Sequence, residues 1–209
     1  MEHKNIRKEI IVFILASIIL SLAVSYKNPP ILLYSFISFL VIIGGNIIVK
    51  KIVSYHFETK VYTKFWSLYR FGFKEESHFK KPIPMAWLPL ILSLVTKGIV
   101  WWFAILEFDV APKTERIARR HGLYRFTQVT EWHMAWIATW AIIMNILMAI
   151  VGYIAGYELF AQLNVYFALW SIIPIANSDG SKILFANRAL WTTLFIILLI
   201  FFGWAFYII

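Results

Sequence analysis

The sequence predicts an all-α, polytopic membrane protein with five or six transmembrane helices, a re-entrant segment and short interfacial strands. Composition is the first reason: of 209 residues, 61% are apolar and 15% charged, against roughly 45–50% and 25% in soluble domains. The second is the placing of charge. The Lys and Arg residues behind the net charge of +9 are gathered in a few stretches between apolar runs. Attraction to the anionic headgroups of a lipid bilayer accounts for that pattern without nucleic acid. With no cysteine, the chain has neither a disulfide framework nor a thiolate zinc site.

About 20 apolar residues cross the hydrocarbon core, and six runs are long enough to matter: 10–26, 31–49, 85–106, 132–155, 159–175 and 183–209. The first follows a basic N-terminus and has no clear small-x-small cleavage site, so it reads as a retained span. Together the runs are expected to form one membrane domain over 1–209. Within it, 10–49 make an N-terminal helical pair and 183–209 a C-terminal helix.

The run 85–106 differs from the others because it carries Lys97 beside Gly98 near its middle. A charge at that depth costs about 2.5–3.5 kcal/mol on insertion scales. On one side of this run lie Lys50, Lys51, Lys60, Lys64, Arg70, Lys74, Lys80 and Lys81; on the other, Lys113, Arg116, Arg119, Arg120 and Arg125. A full crossing would put one cluster outside, against the positive-inside rule. A re-entrant hairpin turning at Lys97-Gly98 keeps both on one face. The N-terminus and basic loops are then cytoplasmic in a multi-pass protein of the cell membrane, and the linkers 27–30 and 156–158 face out. Residues 62–73 and 104–110 are candidate interfacial strands, and 112–125 an exposed basic loop or surface helix.

The segment 171–184, Ser-Ile-Ile-Pro-Ile-Ala-Asn-Ser-Asp-Gly-Ser-Lys-Ile-Leu, ends a span in Pro174 and places Asp179 in a polar turn. An ionisable residue there is a functional-site hypothesis by default, although Asn, Asp and Gly also make plain turns. The segment resembles the third core helix of the site-2 protease family of intramembrane zinc metallopeptidases, patterned Asn-Leu-x-Pro, four residues, Asp-Gly. Pro174, Asp179 and Gly180 fall at that spacing, and Ser171 replaces the Asn. The resemblance implies a site-2-protease-like core over 46–187 with Asp179 as a metal ligand. It also implies a polar role for Asn145, which stands where the family's second core helix carries Asn, with Ala141 and Ile142 in place of its Gly-Pro.

The family's decisive motif is His-Glu-x-x-His, two zinc-binding His on one helical face with a Glu as general base. Its expected place holds Tyr55-His56-Phe57-Glu58-Thr59-Lys60. His56 and Glu58 are thus the candidate catalytic residues, with His56 and Asp179 as candidate metal ligands. In one register Tyr55, His56 and Thr59 stand for the His, Glu and His, in the other His56, Phe57 and Lys60 do, and neither supplies the three protein ligands of a catalytic zinc site. Glu131 and His133 suit zinc only in an extended conformation, and the Trp residues, Trp101 and Trp102 included, read as an interfacial belt.

The resemblance therefore implies a catalytically degenerate homologue with no cofactor, which binds transmembrane segments of other proteins and in which Lys60 neutralises Asp179. Two alternatives stand beside it. One is an active metalloendopeptidase that binds zinc through relocated ligands. The other is an unrelated transporter or lipid-binding membrane protein, in which the helices of His56, Asn145 and Asp179 do not converge.

Overall fold

The computed structural model describes residues 2–70, 78–113 and 129–208. Four of its helices are long and apolar enough to cross a membrane: α1 (Glu2–Ser25), α2 (Leu32–His56), α4 (Glu131–Ile154) and α7 (Arg188–Ile208). Their outward faces carry large apolar side chains open to the surroundings, among them Leu33, Ile154 and Ile200 at 70%, 79% and 67% exposure. Apolar surface on this scale fits a membrane-embedded protein. Among the described residues there are three shorter α-helices: α3 (Leu88–Val95), α5 (Glu158–Ile172) and α6 (Asp179–Ala186).

α1 and α2 pack against each other, and α2 runs past residue 49 to His56. The C-terminal run is two helices rather than one from residue 183. Asn187 takes an extended conformation and its Oδ1 accepts from the Leu190 N–H (3.1 Å), which starts α7 as a separate helix.

The fold is not purely helical. β1 (Thr59–Phe65) pairs antiparallel with β4 (Leu106–Pro112), and β2 (Ser67–Arg70) with β3 (His78–Pro84). The candidate strands thus sit a few residues away from their expected bounds. Residues 71–73, and 114–125 of the expected basic segment, lie outside the described residues.

The β1–β4 ribbon packs along α1 and α2, and a charged side chain bonds to each of its edges. The Thr63 N–H donates to Glu9 Oε1 on α1 (3.2 Å), and the Phe108 carbonyl accepts from Lys182 Nζ on α6 (2.7 Å). Open edges left in an apolar bundle would strand backbone groups at several kcal/mol each.

Between the strands the chain makes one excursion. Trp66 holds both ends of it, its N–H donating to the Ile105 carbonyl (2.8 Å) and its carbonyl accepting from the Met85 N–H (3.1 Å). From there α3 runs to Lys97-Gly98, where both residues take positive φ (53° and 77°) and the Gly98 N–H closes on the Ser93 carbonyl at 2.7 Å. That is the usual way a glycine ends a helix. A Cβ on Gly98 would meet Lys27 and Tyr26, so the tip lies against the α1–α2 turn. Ser93 Oγ donating to the Ala23 carbonyl (2.7 Å) pins α3 to α1.

The returning chain packs into the bundle through Phe103, edge-on to Phe39 of α2 at 5.2 Å between centroids. Trp102 lies 4.2 Å from the Trp170 ring on α5, and Trp170 Nε1 donates to the Trp101 carbonyl (2.8 Å). Trp101 and Trp102 therefore pack against α5. The bundle has two larger apolar centres and a small third around Ala149, Val165 and Ala205. Of the larger two, one, around Phe39, Ile43, Phe103 and Leu163, joins α1, α2 and α5; the other, around Phe108, Ile142, Ile172 and Ile183, joins α4 to α7.

Candidate functional site: a buried ion pair between two helices

α5 ends at Ile172 because Pro174 has no N–H to continue it. The chain then turns through Ala176, at φ 48°, and is held by Ser178 and Ser181, whose hydroxyls donate to the Ile173 and Ala176 carbonyls (2.8 and 2.6 Å). Ser178 caps α6 by accepting from the Ser181 N–H. Asp179 is the first residue of α6, where a carboxylate is favoured by the unpaired N–H groups of the first turn.

Gly180 explains why a glycine follows. A Cβ there would sit 1.9 Å from the Ile172 carbonyl oxygen, so α6 crosses directly over the end of α5. The same carbonyl accepts from Trp191 Nε1 of α7 (2.9 Å), drawing three helices to one atom.

The crossing carries Asp179 into the bundle, where its Oδ2 meets Lys50 Nζ of α2 at 2.7 Å. The two side chains are 5% and 8% exposed. Asn46 lies four residues before Lys50, hence on the same face of α2. Both line a small cavity of about 30 Å³ with Thr63, Ser171, Ser178 and Asp179. Asn46 Nδ2 and Thr63 Oγ1 have no hydrogen-bonding partner among the described residues. The cavity is large enough for one water to serve them both.

A second lysine sits beside the pair. The Phe108 ring lies between Lys50 and Lys182, with the ammonium nitrogens 4.6 and 3.7 Å from its centroid, so both cations face the π-system. Lys182 also donates to the Asn177 carbonyl (3.0 Å). It stands on α6, outside the long apolar helices, and burial lowers its pKa to about 8, with Lys50 pushing the same way and Asp179 opposing. Lys182 borders a groove lined also by Asp109, Glu131, Asn177 and Phe185.

The residues singled out in the sequence separate into two groups. Asp179 is at the centre of the site. Asn145 is fully buried on α4, and its amide has no partner among the described residues. The neighbouring Met144 and Met148 reach Gly45 of α2.

Tyr55 to Lys60 does not form a first core helix. Tyr55 and His56 end α2, Phe57 and Glu58 turn (Glu58 at φ 52°), and Thr59 and Lys60 open β1. The i, i+4 geometry is therefore broken in either register. His56 is exposed and six residues beyond Lys50, about 9 Å further along the axis and on another face. Lys60 is not the counter-ion of Asp179; Lys50 is. On β1, Thr59, Val61 and Thr63 are buried, and Lys60 alternates with them on the opposite face. His133 takes part in a reciprocal cap with Thr130 and meets the Phe57 ring at 4.8 Å.

The residues missed are Lys50 and Asn46. The signal was present as an Asn-x-x-x-Lys pair at the end of an apolar run, which passes for the basic flank of a span.

Zinc does not fit this donor set. The Asp179 side offers one carboxylate, with Asn, Ser and Thr around it and an ammonium already on the carboxylate, where a catalytic zinc takes three N, O or S ligands from the protein. Among the described residues no three His, Cys, Asp or Glu side chains gather to hold a metal. Compared with known proteins, the chain matches no family model, no curated protein and no solved structure.

Proposed function

We propose that this chain is a site-2-protease-like membrane protein in which an ammonium takes the place of the zinc, and that it binds transmembrane segments of other proteins without cleaving them. The observation that carries this reading is the Lys50–Asp179 pair with Asn46 one turn away. Asn46-Ile47-Ile48-Val49-Lys50 has the spacing of His-Glu-x-x-His and faces the Asp-Gly helix, as the family motif does. Lys50 supplies a proton where zinc needs a lone pair, and Ile47 cannot act as a base toward water. Such a chain keeps the interhelical scaffold and loses hydrolysis.

Zinc content tests it. Purified wild-type protein is expected to be free of zinc, and Asn46→His with Lys50→His to bind about one ion through the two imidazoles and Asp179. Adding Asp179→Asn should abolish that binding. Stoichiometric zinc in the wild type would favour relocated ligands, and a double-His variant that ignores zinc would remove the family reading.

The same proposal carries a topology. α1, α2, α4, α5 and α7 cross the cell membrane, residues 85–106 are re-entrant, and the N-terminus and basic loops are cytoplasmic. The support is that Trp66 holds both ends of the excursion and that β1 and β4 lead both flanks to the same end of the bundle. Because the chain has no cysteine, single-cysteine variants report cleanly. An impermeant maleimide added to intact cells is expected to label Asn28→Cys and Tyr157→Cys, and to label Lys113→Cys only after permeabilisation. Equal labelling of Lys113→Cys and Asn28→Cys in intact cells would contradict a re-entrant 85–106.

A further inference from the structure

Lys182 differs from its neighbours in what its side chain faces. Lys50, Lys51 and Lys64 hold the carboxylates of Asp179, Glu9 and Asp109 at 2.7, 2.6 and 2.7 Å, and such a contact favours the charged ammonium. Among the described residues Lys182 makes no ion pair. Its Nζ donates instead to two neutral acceptors, the Phe108 and Asn177 carbonyls (2.7 and 3.0 Å). The Phe108 ring that it also faces is shared with the Lys50 ammonium, and two like charges about one ring oppose each other. A neutral amine still has two N–H donors for the two carbonyls and keeps a lone pair. The fall of the Lys182 pKa to about 8 through burial, against the pull of Asp179, Glu107 and Asp109, agrees with that geometry.

The amine is also within reach. It borders a groove of about 380 Å³ between β4, α4 and α6, in which Phe108, Val110, Met134 and Phe185 form apolar walls. Asp109 and Glu131 add carboxylates to the lining. Asp109 is held by Lys64, whereas Glu131 makes no ion pair among the described residues. The two carboxylates disfavour an anionic ligand, and the apolar walls suit an alkyl chain.

We propose that this groove is a covalent binding site for uncharged aliphatic aldehydes, with Lys182 Nζ as the nucleophile. A lysine in a dry site beside another cation is activated toward carbonyl groups. The nitrogen lone pair adds to the aldehyde carbon while the carbonyl π pair moves to oxygen. Glu131 accepts a proton from the nitrogen and passes it to that oxygen, giving a carbinolamine. The second N–H proton follows the same route, the C–O bond breaks, and the nitrogen lone pair forms C=N. Both amine hydrogens leave on the water released, so imine formation needs no oxidant or other co-reactant. The site does not involve the Lys50–Asp179 cavity, so it stands or falls apart from the zinc question.

Reductive trapping tests it. The full chain in a neutral detergent at about pH 7.5 is incubated with hexanal and cyanoborohydride, and peptide mass spectrometry follows alkylation at each lysine. Lys182 is expected to react at least about tenfold faster than Lys80, an exposed lysine on β3. With glyoxylate, an anionic aldehyde, that ratio should fall at least about fivefold. Glu131→Gln should slow Lys182 about threefold and leave Lys80 unchanged. Equal hexanal rates at Lys182 and Lys80 would overturn the site. An equal ratio for hexanal and glyoxylate would overturn the uncharged aldehyde as its ligand, and an unchanged Lys182 rate in Glu131→Gln would overturn Glu131 as the proton carrier.

Discussion

Gly180→Ala is expected to destabilise the protein by about 3 kcal/mol or more, the top of the range for overpacked cores. The new Cβ would meet three backbone atoms of Ile172, the carbonyl oxygen at 1.9 Å, the carbonyl carbon at 2.3 Å and Cα at 2.9 Å. Backbone at a helix end cannot rotate away as a side chain can. Relief requires α6 to lift from α5, and α6 carries Asp179, so the clash also pulls the carboxylate from Lys50. Gly203→Ala is the control: nothing lies within 4 Å of its Cβ, and α7 should gain the helix preference of Ala over Gly, within about 1 kcal/mol. Unfolding midpoints in detergent check both, and similar values for the two variants would refute the close crossing.

Lys50→Met is expected to cost about 3–5 kcal/mol, because it strands the Asp179 carboxylate in a site where both partners are under a tenth exposed. Asp179→Asn should cost a similar amount by stranding the ammonium, which among the described residues also faces the Phe108 ring and the small polar cavity. Removing both charges together should be far milder than the sum, since a buried pair replaced as a unit is often neutral. Lys51→Met is expected to be milder than Lys50→Met: the Lys51 side chain is 47% exposed, and Glu9 retains the Thr63 N–H.

Hydropathy made much of the bundle legible, because each long helix needs about 20 apolar residues and little else. The turn at Lys97-Gly98 was also readable, from a charge that no span tolerates cheaply and a glycine that ends helices. The strand pair was readable only as aromatic and β-branched tendency. Its outer edges are met by Glu9 and Lys182, contacts that join residues 54 and 74 positions apart.

The site was half legible for a related reason. Pro174, Asp179 and Gly180 are local, and their spacing carried the resemblance. Lys50 was hidden because a lysine at the end of an apolar run normally extends to the headgroups. What keeps it in the bundle is α6 folding back to place a carboxylate beside it, an event 129 residues further along the chain. Tyr55 to Lys60 misled because it contains a histidine and a glutamate, whereas Glu58 at positive φ ends the helix there.

The account depends most on Lys50 and Asp179 acting as one unit, and a double-mutant cycle measures that directly. Unfolding free energies of the wild type, Lys50→Met, Asp179→Asn and the double variant are expected to give a coupling of at least about 2 kcal/mol. The parallel cycle of Lys60→Met with Asp179→Asn should be additive within about 0.5 kcal/mol. Additivity in the Lys50 cycle, or a larger coupling through Lys60, would contradict the claim that the Lys50 ammonium holds the Asp179 carboxylate.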